Sequence, residues 1–260
     1  MYQLVKIWTV ANQKGGVGKT TTTVSLGGIL ALQGKRVLLI DTDPHASLTY
    51  YFGIDSEELE VSVYDIFARG NAMQSEEILQ ALCPSTIDNL DILPATMAIA
   101  TLDRSMGNRA GMGLVLKKAL EKISEHYDYA ILDCPPVLGV LMVNALAASE
   151  RILIPVQTEF LALKGLDRMM RTMELMQSSQ SKKYQYTIVP TMYDKRTKAS
   201  LEAYKNLLSN YKEYVWPGVI PVDTKFRDAS LAQKVPIEYC PKSRGVFAYR
   251  ALLDYLLQVN

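Results

Sequence analysis

Cysteine is scarce in this chain of 260 residues. The three present, Cys83, Cys134 and Cys240, lie far apart, and no pair has CxxC or metal-ligand spacing. That excludes a thiol-ligated metal centre and a dithiol redox motif, and it fits a reducing cytoplasm. Long hydrophobic runs are missing too. Nothing approaches the ~20 apolar residues of a membrane span. The short apolar run at the start passes directly into a glycine-rich turn, so no signal peptide and no stable membrane insertion are expected. Internal repeats, low-complexity tracts and linkers are absent, so a single domain over 1–260 is expected. From Gly245 to Asn260 apolar and polar residues alternate at helical spacing, with Arg250 and Asp254 as the only charges. Such a segment reads as a terminal helix docked on the core, not a cationic membrane-binding one.

Charge of one sign is also lacking overall, since the net charge is only +1. Its distribution is uneven. From Lys182 to Arg244 there are 12 Lys/Arg against 6 Asp/Glu, whereas the first 181 residues hold 15 against 20. A basic third on an acidic chain points to a surface for polyanions, with solvated helix faces as the plainer alternative.

What is present is alternation. Strand-like runs occur at Leu4–Val10, Arg36–Ile40, Leu90–Leu93, Tyr129–Leu132, Arg151–Val156, Tyr186–Val189 and Val219–Ile220. Helical patterns lie between them at Thr20–Gln33, Gly113–Tyr127, Val143–Ala148, Leu166–Met176, Leu201–Asn210 and Val246–Leu257. Strand-helix alternation predicts an α/β fold with a mostly parallel twisted sheet covered by helices on both faces. The acidic stretch Asp55–Glu60 and the segment following it to Leu82 read as an insertion. In such sheets functional residues gather at the carboxyl ends of strands.

Three motifs obey that rule. The first strand runs into Asn12-Gln13-Lys14-Gly15-Gly16-Val17-Gly18-Lys19-Thr20-Thr21, followed by a helix. This is the layout of a phosphate-binding loop, with backbone N–H groups around the phosphates, Lys19 on the terminal phosphates and the Thr20 hydroxyl on Mg²⁺. The usual first glycine is replaced by Gln13, and a second lysine, Lys14, follows it. The second strand ends in Asp41-Thr42-Asp43-Pro44, two carboxylates that face the same crevice. One can organise the Mg²⁺ shell and the other can orient an attacking water. Another strand ends in Asp133-Cys134-Pro135-Pro136, where Asp133 is suited to hold Mg²⁺. The Met169, Met173 and Met176 stripe reads as core, with an adaptable partner surface as the alternative.

These motifs, with Ile154-Pro155-Val156-Gln157, Thr191-Met192-Tyr193-Asp194, Ile220-Pro221 and Ala229, resemble the ParA/MinD family of deviant Walker A phosphate-loop ATPases over nearly the whole chain. The resemblance implies a P-loop NTPase fold, ATP and Mg²⁺, and a nucleotide-dependent homodimer. No guanine-reading Asn/Thr-Lys-x-Asp motif occurs, which favours ATP over GTP. In the family the lysine at the position of Lys14 reaches the partner's nucleotide. The resemblance further implies that Lys14, Lys19 and Asp43 act in catalysis, with Asp43 positioning water. ATP contacts fall to Lys14, Gly15, Gly16, Val17, Gly18, Lys19, Thr20, Thr21, Met192, Pro221 and Asp223, and metal contacts to Thr20, Asp41 and Asp133. Arg196 and Lys225 match positions that bind DNA without sequence preference. Lys195, Lys198, Arg227, Lys242 and Arg244 are further candidates.

Two positions depart from the family pattern. Val222 replaces an arginine, and His45 replaces a glutamine. His45 reads either as a protonation-sensitive residue or as an ordinary polar loop residue. A narrower resemblance, carried by Asp43-Pro44-His45-Ala46-Ser47, Leu138–Leu146 and Ile220–Ser230, is to the ParC-type proteins of chemotaxis operons. It implies a partner-stimulated switch that positions polar chemotaxis arrays, with a stimulator or cargo adaptor of the ParP or ParB kind, at the cell pole or nucleoid. A chromosome or plasmid partitioning ATPase is the nearest alternative. A metabolic synthetase on the same fold is an alternative of another class. A reductase would need paired cluster cysteines, which Cys134 alone does not supply, and a membrane-cycling regulator is disfavoured by the last helix.

Overall fold

The computed structural model describes residues 5–102, 112–180 and 184–259. Leu4, expected to open the first strand, Lys182, expected to open the basic third, and Asn260 lie outside the described residues. Among the described residues seven strands form one sheet: β1 (Lys6–Val10), β2 (Val37–Asp41), β3 (Cys83–Pro84), β4 (Leu90–Leu93), β5 (Tyr129–Asp133), β6 (Arg151–Gln157) and β7 (Gln185–Thr191). Their order is β3-β4-β2-β5-β1-β6-β7. All neighbours are parallel except β3, which runs antiparallel to β4. The two-residue β3 lies just past the inserted segment.

Strands covered on both faces need apolar residues on both. In β2, Leu38 and Ile40 join one core while Val37 and Leu39 join the other, and in β5 Ala130 and Leu132 oppose Tyr129 and Ile131 in the same way. This is the period of two expected of a pleated strand. On one face lie α1 (Lys19–Leu32) and the last helix, α11 (Arg244–Gln258), packed against each other through Val24, Ile29, Leu252, Leu253 and Leu256. The terminal helix is thus docked on the core, as its spacing indicates. The other face carries α3 (Val63–Arg69), α5 (Val115–Lys122), α6 (Val140–Ala148) and α7 (Phe160–Gln180). Met169 and Met173 of α7 are fully buried, so the methionine stripe is core. The other α-helices among the described residues are α2 (Ser47–Tyr51), α4 (Ser75–Gln80), α8 (Lys198–Tyr211), α9 (Lys225–Leu231) and α10 (Pro236–Tyr239). No helix among the described residues is long and apolar enough to cross a membrane.

One strand expectation is corrected. Val219–Ile220 is not a strand. The chain beyond α8 runs beside β7 and forms only isolated bridges, Ile188 of β7 with Val215 and Tyr193, two residues past β7, with Pro221. Pro217 and Pro221 lack the N–H that a ladder needs, and they break it into those single contacts.

Candidate functional site

β1 and β6 are neighbours, and the chain leaves β1 toward β2 on one side of the sheet order and β6 toward β7 on the other. The crevice at the carboxyl ends of these strands is where an open α/β sheet binds ligands. The loop from Asn12 to Gly18 fills it. Gly16 and Gly18 have φ of 71° and 91°, values open to glycine but strained for other residues. Gly18 caps α1 without any side-chain hydrogen bond, and no acidic residue lies in the first turn. The first N–H groups of a 14-residue helix are therefore left to an anion. The loop is anchored from several sides. Asn12 Oδ1 accepts from the Lys14 amide at 3.0 Å while its Nδ2 donates to Pro155 O at 2.7 Å. The Thr191 hydroxyl donates to Val17 O at 2.8 Å.

The two lysines of the loop occupy different places. Lys19 is buried, its Nζ donating to Lys14 O at 3.2 Å. Burial lowers its pKa, and the charges of Asp133, Cys134 and Asp43 act against that loss. Lys14 lies at the open edge, paired with Glu159 just before α7. Glu159 carried no signal in the sequence, because its proximity arises only when β6 is placed beside β1.

The carboxylates also separate. Asp133, at the end of β5, accepts from the Thr20 hydroxyl through Oδ2 at 2.6 Å. Its Oδ1 is buried with no hydrogen-bond partner. Burial, and then the neighbouring Asp41 charge, push its pKa up to about 8. An unpartnered carboxylate oxygen beside a threonine hydroxyl fits a hard cation. No group of three His, Cys, Asp or Glu able to hold a metal occurs among the described residues. Mg²⁺ takes few protein ligands and completes its shell with phosphates and water.

Asp41, expected among the metal ligands, is committed elsewhere. Its Oδ2 accepts from the Thr49 amide at 2.9 Å and the Thr49 hydroxyl at 2.8 Å, and its Oδ1 accepts from the Asp43 amide at 3.0 Å. It is fully buried, with its pKa raised to about 6 by that burial. Direct coordination would cost bonds that hold α2 and the Asp43 backbone, so its place is behind the metal site. Asp43 lies within electrostatic reach of Lys19, and its Oδ1 accepts from the His45 amide and faces the His45 ring.

Beyond the loop, Thr20, Thr21, Gln157, Met192, Pro221, Val222, Asp223, Phe226 and Tyr249 line a cleft of about 600 Å³. Met192 adopts φ of 52° and presents its side chain there. Asp223 lines the cleft, but its Oδ1 accepts from the Lys225 amide at 3.2 Å and its Oδ2 from the Gly245 amide at 3.0 Å. Both oxygens therefore serve the starts of α9 and α11, which leaves the expected base contact to the rest of the cleft wall. The aromatic residues Phe226 and Tyr249 were not anticipated, since nothing in their spacing marks a cleft.

A second recess of about 470 Å³ shares the wall Pro221–Thr224 and is lined also by Tyr193, Asp194, Lys195, Arg196 and Arg244. Arg196 is exposed and pairs with Asp194 at 2.7 Å. Lys225 is exposed at the start of α9, next to the shared wall.

The AAA domain family model matches residues 5–186. The sporulation initiation inhibitor protein Soj of Bacillus subtilis is 38% identical over 245 residues, covering 94% of this chain and 95% of Soj. The chromosome partitioning protein ParA of Caulobacter vibrioides is 35% identical over 251 residues, covering 95% and 92%. This chain belongs to the ParA/Soj-type AAA-domain family. Among solved structures, cobyrinic acid a,c-diamide synthase of Mycobacterium smegmatis, with bound ADP and magnesium, aligns with a TM-score of 0.83 at 34% identity, covering 98% of this chain and 95% of that one. An ATP complex of a Cyanothece McdA variant aligns at 0.87 and 20% identity, covering 99% and 98%, and speaks for the fold alone. These relatives show the family and do not show the narrower closeness to chemotaxis ParC proteins.

Proposed function

We propose that this ParA/Soj-type chain is an ATPase switch that dimerises on Mg-ATP and positions a cellular cargo. The observation that carries the reading is the pair of lysines on one loop, Lys19 buried beneath it and Lys14 at its open edge. One lysine suffices to hold the phosphates of a bound nucleotide. A second one at the rim is placed to meet charge arriving from outside the chain, namely the nucleotide of a second copy.

In this reading the N–H groups of Gly15 to Thr21 surround the phosphates, and Lys19 neutralises the terminal ones. Mg²⁺, when bound by Thr20, Asp133 and phosphate oxygens, supplies charge neutralisation for phosphoryl transfer. Asp43 orients the attacking water, and Asp41 keeps Asp43 in place from behind. Met192, Pro221, Phe226 and Tyr249 enclose the nucleoside. Lys14 leaves Glu159 and turns to the partner's phosphates, so nucleotide binding and association are linked. With Asp43 alone to direct water, intrinsic turnover is slow and a partner protein accelerates it.

The cargo we favour is a polar chemotaxis array, on the strings around His45, Val140 and Val222. Chromosome partitioning, the function carried in the name of the Caulobacter relative, is the rival. A fluorescent fusion at the pole supports the first, and one over the nucleoid the second. A second reading, an ATP-dependent amidating synthetase, is favoured by the 34% identity to the diamide synthase. Turnover separates the classes. The switch hydrolyses ATP without a carboxylate substrate, Lys19→Ala loses nucleotide binding, and Asp43→Ala binds ATP without hydrolysing it. Turnover that requires a carboxylate substrate would establish the synthetase instead.

A further inference from the structure

One face of α7 is turned to the start of the phosphate loop. Gly165 and Thr172 lie two helical turns apart and share that face. A Cβ on Gly165 would lie 3.5 Å from the Lys14 Cβ and 4.0 Å from Asn12 Oδ1, so the helix passes within ordinary contact of the loop. At Thr172 the contact is polar. Gln13 Nε2 donates to its hydroxyl oxygen at 2.9 Å, and the hydroxyl donates to Arg168 O at 3.1 Å. Two ties hold the Lys14 main chain from within the loop. Asn12 Oδ1 accepts from its amide at 3.0 Å, and Lys19 Nζ donates to its carbonyl at 3.2 Å. The Gln13–Thr172 bond is the one that fastens this stretch to a neighbouring helix, and it uses no charged group.

We propose that Thr172 is a positioning residue for dimerisation, which through Gln13 fixes the backbone from which Lys14 reaches the nucleotide of a second copy. This rests on the dimerising-ATPase reading above. In the nucleotide-free chain the Lys14 ammonium is held by Glu159 and its carbonyl by Lys19. Both ties run through ammonium groups that the reading sends to phosphates, Lys19 to those of its own chain and Lys14 to those of the partner. The Gln13–Thr172 bond involves neither, so it persists when they change partners. A side chain that starts from a fixed backbone loses less conformational freedom on reaching its target, and preorganisation of that kind strengthens association. α7 is suited to the task because Leu166, Met169 and Met173 anchor it fully buried in the core. Without the Thr172 hydroxyl the Gln13 amide turns to water, and Lys14 starts its reach from a looser stretch. The chain's own phosphates are gripped from Gly15 onward, so the loss falls on association and not on nucleotide binding.

The test is the protein concentration at which half of the chain is dimeric in saturating Mg-ATP, read by light scattering. It is run on the full Asp43→Ala chain, alone and with Thr172→Val, Thr172→Ser, Gln13→Ala or the pair Gln13→Ala/Thr172→Val added. A fluorescent ATP analogue reports affinity at protein concentrations too low for association. Valine keeps the shape of threonine without the hydroxyl, and serine keeps the hydroxyl. Thr172→Val is expected to raise the half-dimer concentration several-fold with analogue affinity unchanged, and Thr172→Ser to restore it. Gln13→Ala is expected to match Thr172→Val, and the pair to be no worse than either, because both remove one and the same hydrogen bond. An unchanged half-dimer concentration in Thr172→Val overturns the proposal and leaves the dimer reading standing. Losses that add in the pair overturn it too, as does a fall in analogue affinity equal to the fall in association, which marks a loop deformed as a whole. Gln13→Ala removes the bond from the loop side, so it decides alone if Thr172→Val fails to fold by circular dichroism. An Asp43→Ala chain that stays single at every concentration removes the dimer reading, and the proposal with it.

Discussion

Asp41 and Asp133 end neighbouring strands, and each buries a carboxyl group within reach of the other's charge. Burial raises both, to about 6 and about 8. An unfolded aspartate titrates near ~3.9, so over the interval between, the folded chain holds protons that the unfolded chain has released. By linkage the contribution of these groups to stability grows as pH falls through their folded pKa values and is complete below about 4. The nucleotide-free protein is therefore expected to melt at higher temperature near pH 6 than near pH 8, by calorimetry, and Asp133→Asn is expected to flatten that slope. An unchanged slope in the variant would contradict the placement of Asp133. At this scale the sequence was legible in part. The apolar runs of β2 and β5 mark where Asp43 and Asp133 stand, just past or at the strand ends. The internal commitments of Asp41 to Thr49 and of Asp223 to Gly245 were not, because those partners lie eight and 22 residues away and meet only through folding.

Among the elements, the phosphate loop and α1 form the unit on which the site depends. Gly18 holds φ of 91° at the start of α1. An L-residue there costs roughly 1–2 kcal/mol in the left-handed region, and relief of the strain would turn N–H groups away from the phosphates. Gly18→Ala is expected to weaken ATP-analogue binding about ten-fold or more while leaving the circular dichroism spectrum unchanged, which corresponds to roughly 1.4 kcal/mol or more. Equal affinity would show that the loop geometry is not what holds the nucleotide. Strands were legible because burial on both faces leaves continuous apolar runs in β2, β5 and β6. α7 is longer than its apolar stripe, since Phe160, Leu161 and Leu175 are exposed and contribute no periodic signal. α9 escaped notice because a seven-residue helix with only Ala229 fully buried has too few turns to show a period.

For the whole molecule, the recess around Arg196 and the cleft beside the phosphate loop share the segment Pro221–Thr224, so the surface proposed for DNA adjoins the cleft proposed for the nucleotide. Reversal of charge at Arg196 and Lys225 is expected to abolish binding to duplex DNA of any sequence. In single variants the salt dependence of binding is expected to lose about one unit of slope for each phosphate contact removed. Binding equal to the natural chain, by filter retention, would refute a DNA-facing role. Motif order along the chain made the candidate site legible, but a group proposed to act on another copy shows in one chain only as a lysine paired with Glu159. The central claim, that two copies close on their nucleotides, is tested most directly by the light-scattering mass of Asp43→Ala with Mg-ATP. The account predicts twice the 29.0 kDa of one chain, returning to a single chain when Lys14→Gln is added. A single-chain mass for Asp43→Ala at saturating ATP would contradict it.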